Sequence, residues 1–101
     1  MLTLVLMKVF LGSNVSIKGE FEPGVVELDG QNATLRDLLQ ELASRGETLD
    51  LINPESGEKG DDIREILVND RDYLLLEQLE TRLSDGDTVM IRLWFDPLGG
   101  G

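Results

Sequence analysis

Residues 34–45, TLRDLLQELASR, hold the pattern that most limits the fold. Leu35, Leu38, Leu39, Leu42 and Ala43 recur at i, i+3, i+4, i+7 and i+8, one stripe of a helix. Thr34 is placed to accept at the N-cap, with Asp37 in the acid position of a capping box. Arg45 suits the negative end of the helix dipole, and Gly46 suits a left-handed C-cap. A helix that is apolar on one side must lie on something. The segments around it read as strands, so the expectation is an α+β roll with one main helix packed across a sheet.

The strand segments differ in how clearly they show their faces. Residues 2–11, LTLVLMKVFL, are apolar at both parities. That predicts a central strand covered on both sides, and leaves its phase unreadable. Gly12–Lys18 is polar and turn-like, Pro23-Gly24 signals a turn, and Val25–Leu28 is a short strand closed by Asp29-Gly30. The two strands predict an N-terminal hairpin. Residues 63–69 read as a further strand leading into a turn at Asn69–Asp72. In YLLLEQLETRL, Leu76, Leu79 and Leu83 fit a helical turn, while Tyr73–Leu76 fits an edge strand. After the turn SDGD, residues 88–95 alternate. Val89, Ile91, Leu93 and Phe95 fall on one face, Thr88, Met90, Arg92 and Trp94 on the other. Leu49–Ile52 is a possible short strand before a loop with Pro54, Gly57 and Gly60. The carboxylates Glu55, Glu58, Asp61 and Asp62 in that stretch lack calcium-loop spacing and read as a solvated surface.

Composition removes whole classes of function. The chain has 101 residues, enough for one domain that buries roughly 60–70% of its unfolded surface. It contains no cysteine and no histidine, which excludes disulfides and thiol nucleophiles and removes the commonest base and metal ligand. No catalytic residue of its own and no metal site are expected. Lys and Arg total 9 against 20 Asp and Glu, a net charge of −11. Such a surface repels nucleic acid and anionic membranes and suits a basic protein partner. The apolar run near Leu2–Leu11 is too short to span a bilayer, which takes about 20 residues, and no basic segment precedes it. A cytoplasmic protein is expected.

The chain closes on WFDPLGGG. Glycine is costly to order and buries nothing, so three in a row after an apolar strand suggest an end built to be threaded into something narrow. The helix TLRDLLQELASR, the strand-turn LVNDRD, the turn-strand LSDGDTVMI and the terminal glycines occur together in register. Together they resemble the ubiquitin-like sulfur carriers of the MoaD/ThiS type, most of all the small subunit of molybdopterin synthase. The resemblance implies a β-grasp fold, a mixed four- to five-stranded sheet around one helix, with residues 1–98 as the domain and 99–101 as a flexible tail. It also implies a role. The carboxylate of Gly101, preceded by Gly100, is adenylated with ATP by a ubiquitin-activating-type adenylyltransferase. A sulfur donor enzyme then makes the thiocarboxylate, and the large subunit of an acceptor synthase takes the sulfur. The carrier binds no cofactor and is monomeric when free. Gly99 and Leu98 belong to the tail, and Met90, Arg92 and Trp94 to the partner-docking face. The family usually carries a proline pair where this chain has the single Pro97, and a shorter tail and 53–62 loop. Acceptors other than a molybdopterin- or tungstopterin-like synthase, such as tRNA-thiolation or amino-acid-biosynthesis machinery, therefore stay open. Two alternatives also stay open: a ubiquitin-like modifier joined to lysines through Gly101, and a β-grasp interaction module with an unreactive end.

Overall fold

A computed structural model describes residues 6–15, 17–29, 33–46 and 49–94. Five strands are formed: β1 (Leu6–Ser13), β2 (Gly24–Asp29), β3 (Ile63–Val68), β4 (Arg71–Asp72) and β5 (Thr88–Leu93). One helix, α1 (Leu35–Ala43), follows β2, and two short 3-10 turns, Tyr73–Leu75 and Gln78–Glu80, link β4 to β5. The sheet order is β2-β1-β5-β3-β4. β1 and β5 pair in parallel at its centre, and the other neighbours are antiparallel. This mixed sheet with a single helix is the β-grasp arrangement that the resemblance implies.

The helix starts where its cap chemistry places it. The Asp37 N–H donates to Thr34 Oγ1 at 3.3 Å, and the Thr34 N–H donates to Asp37 Oδ2 at 2.8 Å, the reciprocal pair of a capping box. Leu35, Leu38, Leu39 and Leu42 are all fully buried, in one core with Val9, Val26, Ile63, Ile66, Val89 and Ile91. The helix ends at Ala43, before Arg45, with Ser44 at the C-cap in right-handed geometry. Gly46 does not take the left-handed conformation expected of it. A Cβ there would meet the Glu20 side chain, which would have to move aside.

Three other expectations change, and one core residue was not anticipated. β1 is covered on one face only. Met7, Val9 and Leu11 are buried, while Leu6 and Phe10 point the other way and are about half exposed, at 46% and 49%. One helix has one surface to offer, and it lies against the odd-numbered side chains. Leu49–Ile52 forms no strand; Ile52 makes only an isolated bridge with Lys59, and Leu51 is drawn into the core. The 73–83 segment is neither an edge strand nor one helical turn. The edge strand is β4, formed after Asn69 and Asp70 turn the chain with φ of 51° and 67°, the two-residue hairpin geometry that Asn and Asp tolerate. Phe21 between β1 and β2 is a fully buried core residue that its polar surroundings hid. The hairpin β1–β2 and the phase of β5 are as expected, with Val89, Ile91 and Leu93 buried. Phe95 lies outside the described residues.

Leu38→Ala should cost about 2–5 kcal/mol in urea unfolding, because it opens a cavity in a close-packed site. A cost below 1 kcal/mol would show that the helix stripe is not the centre of the core. A second expectation concerns pH. Burial, and next the neighbouring Asp72, raise the Tyr73 phenol above its ordinary pKa. The folded chain then holds a proton that the unfolded chain releases, so this contribution is complete below pH about 10 and declines as pH rises through the folded value. The stability difference between wild type and Tyr73→Phe should shift against the wild type in that window and stay constant below it.

Candidate functional site

The uncovered face of the sheet is built from the even-numbered residues of β1 and β5 and the outward residues of β2 and β3. Phe10 stands between Val25 of β2 and Thr88 of β5, its partners in register. Met90 is flanked by Gly12 and Leu67. A Cβ on Gly12 would come within 2.8 Å of Met90 Cε, so the thioether lies across the glycine, which accounts for its half-buried state. Arg92 faces Glu65 across the ladder. Trp94, one residue past β5, is 68% exposed. The three residues expected at a docking face therefore share one face, with Met90 less exposed than the other two.

The structure adds residues that the pattern did not disclose. An irregularity in the β3–β5 register between Ile63 and Glu65 leaves Arg64 unpaired and turned outward. Its guanidinium carbon sits 5.3 Å from the centroid of the Trp94 ring, a cation–π contact. Asn14, just after β1, grips the last residue of β5 at both backbone groups. The Leu93 N–H donates to Asn14 Oδ1 at 2.8 Å, and Asn14 Nδ2 donates to the Leu93 carbonyl at 3.1 Å. The Trp94 N–H donates to the Asp62 carbonyl at 2.9 Å. The point at which the chain leaves the sheet is thus held by β1 on one side and by the turn before β3 on the other.

The opposite end of β5 is fastened as firmly. Gly86, at φ 88°, donates its N–H to the Lys8 carbonyl, and the Lys8 N–H donates to Asp85 Oδ1. Asp87 accepts from the Ser84 N–H and from Asn69 Nδ2, and the Asn69 side-chain oxygen accepts from the Thr88 N–H. The SDGD turn therefore joins β1, β3 and β5. The 53–62 loop takes the helix side of the sheet. Arg36 of α1 donates to the Gly57 carbonyl and forms an ion pair with Glu80. Trp94 is left uncovered by that loop. Glu55, Glu58 and Asp61 are exposed, as a solvated loop requires, and among the described residues no cluster of carboxylates is placed to hold a metal. Among those residues no helix is long and apolar enough to cross a membrane. Leu98, Gly99, Gly100 and Gly101 lie outside the described residues.

Comparison with known proteins supports the same assignment. A search of curated protein sequences finds no significant match. The solved structures include close folds. The solution structure of the HVO 2177 protein of Haloferax volcanii is 25% identical, covers 95% of this chain and 88% of its own, and superposes with a TM-score of 0.67. The small archaeal modifier protein 1 of Methanosarcina acetivorans is 23% identical, with 96% and 99% covered and a TM-score of 0.63. A putative molybdopterin converting factor, subunit 1, of Pyrococcus furiosus is 21% identical, with 86% and 97% covered and a TM-score of 0.56. The model of the ThiS family matches residues 9–101. With its β-grasp sheet and a family match over nearly its whole length, the chain belongs to the ThiS family of ubiquitin-like sulfur carriers.

Proposed function

We propose that this chain is a cytoplasmic sulfur carrier: a substrate for other enzymes whose reacting group is the carboxylate of Gly101. The family match through residue 101 carries this reading. The terminal carboxylate attacks the α-phosphate of ATP inside an activating adenylyltransferase, and pyrophosphate leaves. A persulfide of a donor enzyme then attacks the acyl carbon and AMP leaves, and a second thiol of that enzyme cleaves the acyl disulfide, releasing the thiocarboxylate and closing a disulfide on the donor. The thiocarboxylate passes the sulfur to an acceptor, foremost the large subunit of a molybdopterin- or tungstopterin-like synthase. Beyond its own terminal carboxylate, none of these steps asks the carrier for a base, a nucleophile or a metal, which suits a chain with no histidine and no cysteine. Residues 99–101 act as the reactive tail of a domain that ends near residue 98, and Leu98 continues the docking face. Glycines at 99, 100 and 101 let the tail lie extended in a narrow channel with no Cβ to obstruct it.

The open sheet face supports the same reading. Met90, Arg92 and Trp94 line the approach to the point where the tail begins, with Phe10 at the other end of the same face, and Arg, Met and aromatic side chains are enriched where interfaces hold their energy. A partner seated there receives the tail beside its contact surface. Conjugation to protein lysines is the second reading. It begins from the same adenylate and is favoured by the likeness of the fold to a protein named as a modifier.

Intact mass spectrometry after incubation with an activating enzyme, ATP and a sulfur source should show one oxygen replaced by one sulfur. Larger adducts with other proteins would show conjugation instead, and an unchanged mass would refute both. Gly100→Phe should block adenylation while moving stability by less than about 0.5 kcal/mol, as substitutions outside a core usually do. Trp94 fluorescence should be readily quenched by acrylamide in the free protein and protected when the activating enzyme is added. Quenching unaffected by that enzyme at saturation would remove Trp94 from the interface.

A further inference from the structure

The chain is strongly acidic, with 20 Asp and Glu against 9 Lys and Arg. Acids therefore greatly outnumber the cations available to pair with them. The described residues nevertheless form one ion pair, Arg36–Glu80, on the helix side of the molecule. Among the described residues no carboxylate forms an ion pair with Arg64 or Arg92, although Glu65 is the cross-strand neighbour of Arg92. Both arginines line one open cleft of about 420 Å³ with Ser13, Asn14 and Met90. The cleft lies on the uncovered face, beside the backbone grip of Asn14 on Leu93 where the tail begins. Arg64 also stands over the Trp94 ring, its guanidinium carbon 5.3 Å from the centroid.

We propose that this cleft receives a carboxylate side chain of the activating partner, set among apolar residues that seat on Phe10, Met90 and Trp94. This rests on the carrier reading given above, and it reverses what net charge alone implies. The net charge of −11 calls for a basic partner. Beside the start of the tail, however, two guanidinium ions have no ion-pair partner among the described residues, and each offers a planar fork that matches a carboxylate. Exposed acids at the margin, Glu27 and Asp29 on β2 and Asp85 in the SDGD turn, are left to steer approach. The partner surface is thus acidic and apolar at its centre with basic groups around it. A patch of uniform positive charge would meet repulsion at Arg64 and Arg92, which gives the face a means of rejecting the many basic surfaces that an acidic protein meets.

Two measurements test this. The first is the KM for the carrier in adenylation, with Arg64→Glu/Arg92→Glu and Arg64→Lys/Arg92→Lys variants whose thermal unfolding matches wild type. The Glu pair should raise KM by about tenfold or more, equivalent to about 1.4 kcal/mol, and the Lys pair should recover most of the loss. A KM that is unchanged or lowered in the Glu pair overturns the proposal. The second follows backbone amide shifts with a short peptide such as Glu-Leu-Asp-Phe-Glu and its counterpart with Lys at the acidic positions. The acidic peptide should shift the amides of residues 13–14, 64 and 90–94 in wild type and fail to do so in the Glu pair. Preferential binding of the basic peptide to these residues overturns the proposal. If wild type gains neither adenylate nor thiocarboxylate while the acidic peptide still titrates the cleft, the carrier reading fails and the cleft stands. If adenylation proceeds with a KM indifferent to both arginines, the carrier reading stands and the cleft proposal fails.

Discussion

One helix covers one face of a sheet, and the described residues form a single long helix for five strands. The interior is therefore a single layer of contact between α1 and the inward residues of β1, β2, β3 and β5, and every fully buried leucine of the helix is spent on it. The reverse of the sheet receives no cover from that helix. Among the described residues no second helix lies over that side, so the uncovered face must be soluble or useful. Here it carries Leu6, Phe10, Val25 and Trp94, each about half exposed or more. A chain selected only for solubility would place polar groups at those positions, as it does on the far side of α1 with Asp37 and Gln40.

The parallel pairing of β1 with β5 decides where that face meets the tail. Because the strands run the same way, the end of β1 lies beside the end of β5, and Asn14 can reach Leu93. The same register places Gly12 beneath Met90. A side chain at position 12 would displace the thioether from its seat, so a small residue in one strand shapes the surface presented by the other. The tail thus leaves from an anchored point with Trp94, Met90 and two arginines around it. Geometry of this kind lowers the ordering cost of binding, since the contact residues are already in place.

Features that depend on neighbours in sequence were legible from the chain alone. The capping box joins residues three apart, the leucine stripe repeats within one helix, and β5 alternates without interruption, so its faces could be assigned. The phase of β1 could not, because apolar side chains stand at both parities; Met7, Val9 and Leu11 serve the core while Leu6 and Phe10 serve the uncovered face. Arg64 turns outward through a register irregularity that nothing in IREILVN signals. The Asn14–Leu93 pairing spans 79 residues, and no local pattern marks an asparagine that will clamp a distant backbone. Gly46 was misread because a glycine after a helix is usually a conformational choice, whereas here the Glu20 side chain occupies the space. In each case the missing information lay in tertiary packing.

The central place of β5 also bears on how the protein is made. β1 emerges from the ribosome first and its parallel neighbour last, so the middle of the sheet stays open until residue 93 has been synthesised. Contacts of such long sequence separation close late and slowly. In the interval β1 and β2 can pair as a hairpin, but α1 has only part of a sheet to lie on, and a lone hairpin is marginal in water. A chain cut short before β5 lacks the strand that joins its two halves and remains unfolded, open to proteolysis. Completion of the sheet and arrival of the segment leading to the tail are therefore coupled, because β5 supplies both.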